Sequence, residues 1–191
     1  MNFSKSNLDL ELWQNQELYK RQYRLKLHFW EILSEVASAI DPRELEKVLP
    51  SHKSYKLSRG NDLLGMPYQV LDILRNFDEE QGLNIRVLNW FGKGMYLMVL
   101  TGSQKTDICS KSLLKNDFLF GKTESPWDYP GLIIENLTTK NFQNDYINPH
   151  KLNVWIKHIK LEGDSEHVKK TISRNLMTTI RVLTNMEHSS I

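Results

Sequence analysis

Residues Leu83–Thr101 read LNIRVLNWFGKGMYLMVLT, and this stretch decides the fold class. Two runs rich in β-formers flank Gly92-Lys93, and a two-residue turn with glycine first is typical of a β-hairpin. The predicted register places Trp90 opposite Met95, Leu88 opposite Leu97, and Ile85 with Leu100 on the other face. Because both faces are largely apolar, we expect other elements to cover the hairpin on both sides.

Further strands are predicted on either side of this hairpin. Phe118–Lys122 and Leu132–Asn136 are predicted strands, joined by a turn-rich loop at 125–131. Residues 51–67 are predicted to be a loop, and residues 102–117 a polar excursion. The segments 68–77 and 152–161 fit either a helix face or a strand, since periodicity cannot decide short apolar runs. We favour a strand for residues 68–73, followed by a single turn, and a strand for 152–161.

Two helices are predicted at the ends of the chain. Over residues 9–40 the apolar side chains recur at helical spacings, at Leu18, Leu25, Phe29, Ile32, Val36 and Ile40. Asp41 is expected to cap a short helix that follows, and Pro50 to end it. Asp164 or Ser165 should cap the last helix, whose apolar stripe is Val168, Ile172, Leu176, Ile180 and Leu183.

These elements predict an α+β fold with a long N-terminal helix, an antiparallel sheet and a C-terminal amphipathic helix. The sheet should hold about five or six strands. A chain of 191 residues has the usual length of one domain, so we expect residues 1–191 to form a single α+β domain.

Composition narrows the classes of partner. A formal net charge of +2 argues against nucleic acid and anionic membranes as partners. No apolar run approaches the roughly 20 residues that cross a bilayer. The single cysteine, Cys109, excludes an intrachain disulfide, which fits a cytoplasmic location. The six histidines show no ligand-like spacing with one another or with Cys109, so we expect no metal and no cofactor.

The most unusual stretch runs from Ser58 to Asp72 and joins glycines, a proline, an arginine and two aspartates. Such a stretch can present an anion site, in which Arg59 binds the anion and Asp62, Tyr68 and Asp72 contribute polar contacts. Alternatively, Arg59 pairs with one of the aspartates and closes the loop. Trp127 could supply an apolar wall to this ligand-binding site, although a plug at the end of the sheet is the favoured interpretation.

The segment Gly65-Met66-Pro67-Tyr68-Gln69-Val70-Leu71-Asp72, with Asn89-Trp90-Phe91-Gly92 after it, resembles an uncharacterised bacterial family found mostly in Bacteroidetes. In that family a Gly-x-Pro-Tyr-x-x-Leu-Asp segment precedes an aromatic-Gly hairpin. The resemblance covers roughly residues 55–101 and implies a strand at 68–73. It implies no activity, cofactor or catalytic residue.

Three classes of function follow. A binding or interaction protein without chemistry of its own is favoured, because no nucleophile–base pair or metal cluster is visible. The alternative is an enzyme that acts on a small anionic ligand at a site built from loops 55–68 and 123–131. A nucleic-acid binder ranks third. The partner is expected to be a small molecule or a protein, and a homo-oligomer stays open.

Overall fold

The computed structural model describes residues 8–50 and 52–187. The helices are α1 (Leu10–Gln14), α2 (Gln16–Ser38), α3 (Pro42–Glu46), α4 (Ser103–Lys115), α5 (Tyr129–Ile133) and α6 (Ser165–Glu187). The strands are β1 (Lys56–Leu63), β2 (Met66–Asn76), β3 (Leu83–Trp90), β4 (Gly94–Thr101), β5 (Leu119–Gly121), β6 (Thr138–Thr139) and β7 (Asn153–Ile159). A short 3-10 helix covers Asn144–Tyr146.

The seven strands form one antiparallel sheet in the order β1-β2-β3-β4-β7-β5-β6. Helices α2, α3, α4 and α6 contribute to the larger core on one face, which we call the helical face. The smaller core on the other face, the α5 face, includes Tyr129 and Leu132 of α5. The predicted α+β class is therefore confirmed, with more strands in the sheet than expected.

The β3–β4 hairpin forms as predicted, but its register is shifted by one residue. Trp90 pairs with Gly94, and Leu88 pairs with Tyr96. The turn holds three residues, with Gly92 at its centre in a left-handed conformation at φ +80°. Since neighbouring side chains on a strand point to opposite faces, this shift separates Leu88 and Trp90 from Met95 and Leu97. Both faces are covered, as expected.

The predicted loop at 51–67 is wrong over most of its length, because β1 occupies Lys56–Leu63 and β2 begins at Met66. Strand β1 pairs with β2 through a tight turn in which Leu64 and Gly65 both have positive φ. The Asp62 carboxylate accepts a hydrogen bond from the Gly65 amide at 2.8 Å and so closes this turn. Two consecutive left-handed residues are the geometry that matches the twist of a hairpin, and only the glycine signals it in the sequence.

The polar excursion predicted at 102–117 is also wrong, since this segment forms α4. Its buried positions include Thr106 and Ser110 beside Cys109 and Leu113. The hydroxyls of Thr106 and Ser110 donate to the carbonyls of Gly102 and Asp107, at 2.8 and 2.7 Å. These local bonds allow polar side chains to lie on the buried face of a helix. Because of them, the sequence of α4 does not show the amphipathic pattern of a helix that packs on a core.

The strand predicted at Leu132–Asn136 is wrong as well, because Leu132 and Ile133 end helix α5. Asp128 caps this helix by accepting a hydrogen bond from Gly131 N at 3.0 Å, and Pro130 lies in its first turn. Both ambiguous segments contain strands, β2 and β7, as favoured. Strand β2 continues to Asn76 in place of a turn.

Both end helices are confirmed, with one difference in packing. The Asp164 carboxylate accepts from His167 N at 2.9 Å, as a cap should, and the stripe of α6 is buried from Ile172 onward. The predicted N-terminal helix breaks at Asn15, and its buried residues begin only at Ile32. The earlier stripe members Leu18 and Leu25 are 41% and 49% exposed. Residues 10–27 therefore form an exposed segment, which we call the N-terminal arm.

Candidate functional site

A buried ion pair between Arg86 of β3 and Asp72 of β2 lies at the centre of the candidate site. The two residues are direct cross-strand partners on the α5 face. Nε and Nη2 of Arg86 donate to Oδ1 and Oδ2 of Asp72 at 2.7 and 2.9 Å. The side chains are only 11% and 6% exposed. This two-pronged geometry fixes the plane of the guanidinium.

Tyr129 and Asn84 complete the hydrogen bonding of this pair. Nη1 of Arg86 donates to the Tyr129 hydroxyl at 2.6 Å, and the Asn84 amide donates to Oδ1 of Asp72 at 3.2 Å. Burial lowers the pKa of Arg86, but the hydrogen bonds with Asp72 and Tyr129 and the negative charge of Asp72 outweigh it, so the pKa lies above its ordinary value. Burial raises the pKa of the Tyr129 phenol, and Arg86 offsets part of this effect. Arg86 is therefore a permanent cation and Tyr129 a neutral phenol at neutral pH.

Two exposed aromatic side chains stand beside this ion pair. The Trp127 ring lies 4.6 Å from the guanidinium carbon of Arg86, a cation–π contact. Phe77, which follows β2, packs against Trp127 with 5.9 Å between ring centroids. Trp127 remains 43% exposed and Phe77 remains 41% exposed. Trp127 is therefore an accessible surface beside the ion pair. It does not plug the end of the sheet, so the favoured interpretation is wrong.

These residues line an open cavity of about 350 Å³, which we call the Arg86 groove; its lining is Lys56, Ser58, Asp72, Arg75, Phe77, Arg86 and Trp127. Three cations and one carboxylate face it, and that carboxylate is already bound to Arg86. Lys56 and Arg75 form no ion pair within the described residues, although Nη1 of Arg75 donates to the Ser54 carbonyl at 3.3 Å. The groove therefore carries positive charge that the described chain does not neutralise.

The structure does not bring the five predicted site residues together. Asp72 and Trp127 line the Arg86 groove. The Tyr68 ring lies on the same face of the sheet, against Gly60. Asp62 closes the β1–β2 turn.

Arg59 lies on the helical face, where its guanidinium carbon is 5.2 Å from the centre of the Trp30 ring. Neighbouring strand positions face opposite ways, so the sheet separates Arg59 from Asp72. Arg59 therefore neither joins the groove nor pairs with an aspartate. It lines a second, smaller cavity of about 210 Å³ between α2 and the β1–β2 hairpin, beside Tyr23, Lys26 and Phe91. Tyr68 also contributes to the lining of this cavity, so two of the predicted site residues, Arg59 and Tyr68, meet there.

Sequence reasoning missed four residues that line the groove, Lys56, Arg75, Phe77 and Arg86. Of these, Arg86 has the clearest signal in the sequence. It is the only charged residue between Gly82 and Phe91, in a strand whose other positions are buried. A lone charge inside an apolar run predicts a buried, paired group, because an unpaired charge is too costly to bury. That signal was available, but its partner Asp72 could be identified only from the register.

Within the described residues, no group of three or more histidine, cysteine or acidic side chains is arranged to hold a metal ion. Among the same residues, no helix is both long enough and apolar enough to cross a membrane. No protein-family model, curated protein or solved structure matches this chain.

Proposed function

We propose that this protein binds a small organic anion with a planar apolar part in the Arg86 groove, and that it performs no chemistry there. The observation that carries this proposal is that two cations without an ion pair among the described residues, Lys56 and Arg75, line the same cavity as the exposed pair Trp127 and Phe77. A ligand with a charged end and a flat apolar end would contact the two cations and the two aromatic rings at once.

The charge of the groove supports an anionic ligand. Arg86 is held by Asp72 and Tyr129, so it serves mainly as a rigid base beneath the groove. Lys56 on the edge strand β1 is exposed, and its ammonium has all three donors available to a carboxylate or phosphate. Arg75 retains further N–H donors beyond the one bound to Ser54. Hydrogen bonds between charged groups are stronger than neutral ones.

The aromatic wall supports a planar group on that anion. Trp127 already stacks on Arg86 with one part of its ring and is still 43% exposed. Aromatic side chains that are half exposed beside a cavity offer apolar area at a small cost in conformational entropy. A planar ligand placed against Trp127 and Phe77 would bring its anionic end toward β1 and β2.

The same geometry favours binding over catalysis. Asp72 is the only carboxylate among the lining residues, and both of its oxygens accept hydrogen bonds from Arg86. Neither a histidine nor a cysteine lines the groove. A general base needs a free acceptor within reach of the proton that it removes, and no histidine, thiol or unpaired carboxylate of the lining provides one.

Phenyl phosphate is a suitable probe, because it joins a dianion to a flat ring. We expect calorimetric titration to show binding that inorganic phosphate and phenol each reproduce only weakly. Lys56→Gln and Trp127→Ala should each weaken binding by about tenfold, the loss expected for one charged hydrogen bond or one stacking contact. Arg59→Gln is the matched control, since it removes a cation from the same strand on the opposite face.

Four results would contradict the proposal. Absence of phenyl phosphate binding would exclude the ligand class, and equal affinity for inorganic phosphate would exclude the role of the aromatic wall. A loss of affinity in Arg59→Gln with none in Lys56→Gln would move the site to the helical face. Release of phosphate during the titration would favour the alternative enzyme.

A further inference from the structure

The smaller cavity on the helical face is separated from the Arg86 groove by the sheet. It is bounded by the end of the N-terminal arm, the β1–β2 hairpin and the β3–β4 turn, and its volume is about 210 Å³. Because Arg59 lines it, we call it the Arg59 cavity. The binding proposed for the groove does not involve this cavity, which differs from the groove in both size and lining.

Two cations line the Arg59 cavity, and none of the lining residues is acidic. Lys26 is half-buried, and its ammonium forms no ion pair within the described residues. The Arg59 guanidinium rests on the ring of Trp30 and has no acidic partner within the same part of the chain. That contact uses a face of the guanidinium, whereas its N–H donors lie in its plane. These donors therefore remain available to a ligand.

A buried amide adds a third polar group to the lining. Gln69 is only 3% exposed and is the direct cross-strand partner of Arg59. Its Nε2 donates to the backbone carbonyl of Lys26 at 2.7 Å, and its Oε1 accepts from Nδ2 of Asn89 at 3.1 Å. An amide nitrogen carries two N–H groups, and the second one has no partner among the described residues. An anion in the cavity could therefore accept from this amide as well as from Arg59.

The walls of the cavity are apolar, and contacts between elements hold them in place. Leu27, Pro67 and Phe91 supply apolar surface. The Phe91 ring packs edge-on against Phe29 of α2, with 5.8 Å between the ring centroids. The Phe91 amide donates to the Pro67 carbonyl at 3.1 Å, which ties the β3–β4 turn to the β1–β2 hairpin. The cavity is thus formed before a ligand enters, which reduces the entropic cost of binding.

The volume of the cavity limits the size of the ligand. An apolar cavity of about 150 Å³ holds one benzene molecule, which corresponds to about 25 Å³ for each non-hydrogen atom. On that scale the Arg59 cavity holds about eight such atoms. A carboxylate presents two oxygens in the plane that a guanidinium binds through two parallel hydrogen bonds. We propose that the Arg59 cavity binds a short-chain monocarboxylate, with its carboxylate on the two cations and its alkyl chain against the apolar walls.

Other ligands fit this cavity less well. Phenyl phosphate has about eleven non-hydrogen atoms and exceeds the available volume. An inorganic anion leaves the apolar walls uncovered, and a neutral alcohol leaves the two cations without a counter-charge. A long-chain fatty acid would leave most of its chain outside. The two sites therefore select different anions: the groove takes a flat aromatic one and the cavity a short aliphatic one.

Titration of the full chain with hexanoate, followed by NMR, tests the proposal. Hexanoate has about eight non-hydrogen atoms, the number that the cavity holds. We expect it to shift the amide signals of the residues that line the cavity. Affinity should rise along the series from acetate to hexanoate, because each added CH2 group is buried. It should level off at octanoate and decanoate, because the cavity is then full.

Substitution of the cations identifies where the carboxylate binds. Arg59→Gln and Lys26→Gln should each weaken hexanoate binding about tenfold, the loss expected for one charged hydrogen bond. Lys20→Gln is the matched control, because it removes an exposed cation from the same helix outside the cavity. Lys56→Gln should also leave hexanoate binding unchanged, since Lys56 lines the Arg86 groove. Thermal melts establish that each variant is folded.

Several outcomes would overturn the proposal. A wild-type chain that does not bind hexanoate, or that binds hexanol equally well, would exclude a carboxylate site. An equal loss of affinity in Lys20→Gln and Arg59→Gln would reduce the effect to general charge. Affinity that keeps rising through decanoate would assign the alkyl chain to the open apolar surface of the N-terminal arm. A loss in Lys56→Gln with none in Arg59→Gln would place the carboxylate in the Arg86 groove.

Discussion

At the scale of single residues, Arg86 and Asp72 determine what the α5 face of the sheet can do. Their pairing removes one cation and one carboxylate from solvent and fixes the plane on which Trp127 rests. A buried ion pair adds little net stability compared with apolar residues of the same shape, whereas loss of one partner leaves an uncompensated charge. The pair is therefore best understood as the rigid floor of the groove.

Asp72→Ala should destabilise the protein strongly. The change leaves the Arg86 guanidinium buried without its carboxylate, and the expected loss in free energy of unfolding is about 3–5 kcal/mol. Urea unfolding measures it. Asp62→Ala is the control, because this exposed carboxylate closes only the β1–β2 turn and should cost about 1 kcal/mol. Equal losses in the two variants would mean that the Arg86–Asp72 pair is dispensable.

At the scale of elements, helix α6 holds the other elements of the helical face together. The helix contacts α2 and α4 as well as β7, and Leu176 at its middle is fully buried. Lys169 of α6 also forms an ion pair with Glu35 of α2, at 3.1 Å. Because this contact is partly exposed, apolar packing rather than charge holds the two helices together.

Leu176→Ala should lower the free energy of unfolding by about 2–5 kcal/mol, the usual range for a buried leucine whose cavity does not collapse. Thr178→Ala, on the exposed side of the same turn, should change it by less than about 0.5 kcal/mol. Denaturant melts of both variants provide the comparison. A loss below about 1 kcal/mol in Leu176→Ala would show that α6 packs loosely on the sheet.

At the scale of the whole molecule, resistance to local unfolding should decrease from the middle of the sheet to the N-terminal arm. Strands β3, β4 and β7 adjoin one another at the centre and are almost completely buried. The N-terminal arm has no buried residue of its own. Local opening costs least where few apolar contacts must be broken.

Amide hydrogen exchange should reveal this gradient in local stability. We expect the slowest amide exchange in β4 and fast exchange in residues 16–27 of the arm, where no residue is buried. Arm amides as slow as those of β4 in dilute protein would indicate that the arm packs on its own chain.

The sequence by itself determined the elements whose signals are local. The turn glycine and β-rich runs predicted β3 and β4, helical spacing predicted α2 and α6, and together these elements predicted the α+β class. Such signals depend only on neighbours along the chain, so they can be interpreted without knowledge of the fold. Helix α4 escaped prediction because two of its buried side chains are hydroxyls satisfied by their own backbone.

Only the tertiary structure decided the candidate site. Asp72 and Arg86 are 14 residues apart and Arg86 and Tyr129 are 43 apart, and strand pairing together with the placement of α5 brings them into contact. The alternation of faces along β1 and β2 places Arg59 on the other side of the sheet from Asp72 and Trp127. Composition indicates which residues can bind an anion, but a shift of one residue in a strand reverses the face on which each side chain lies. The register, which depends on long-range packing, therefore determined which of these residues share a site.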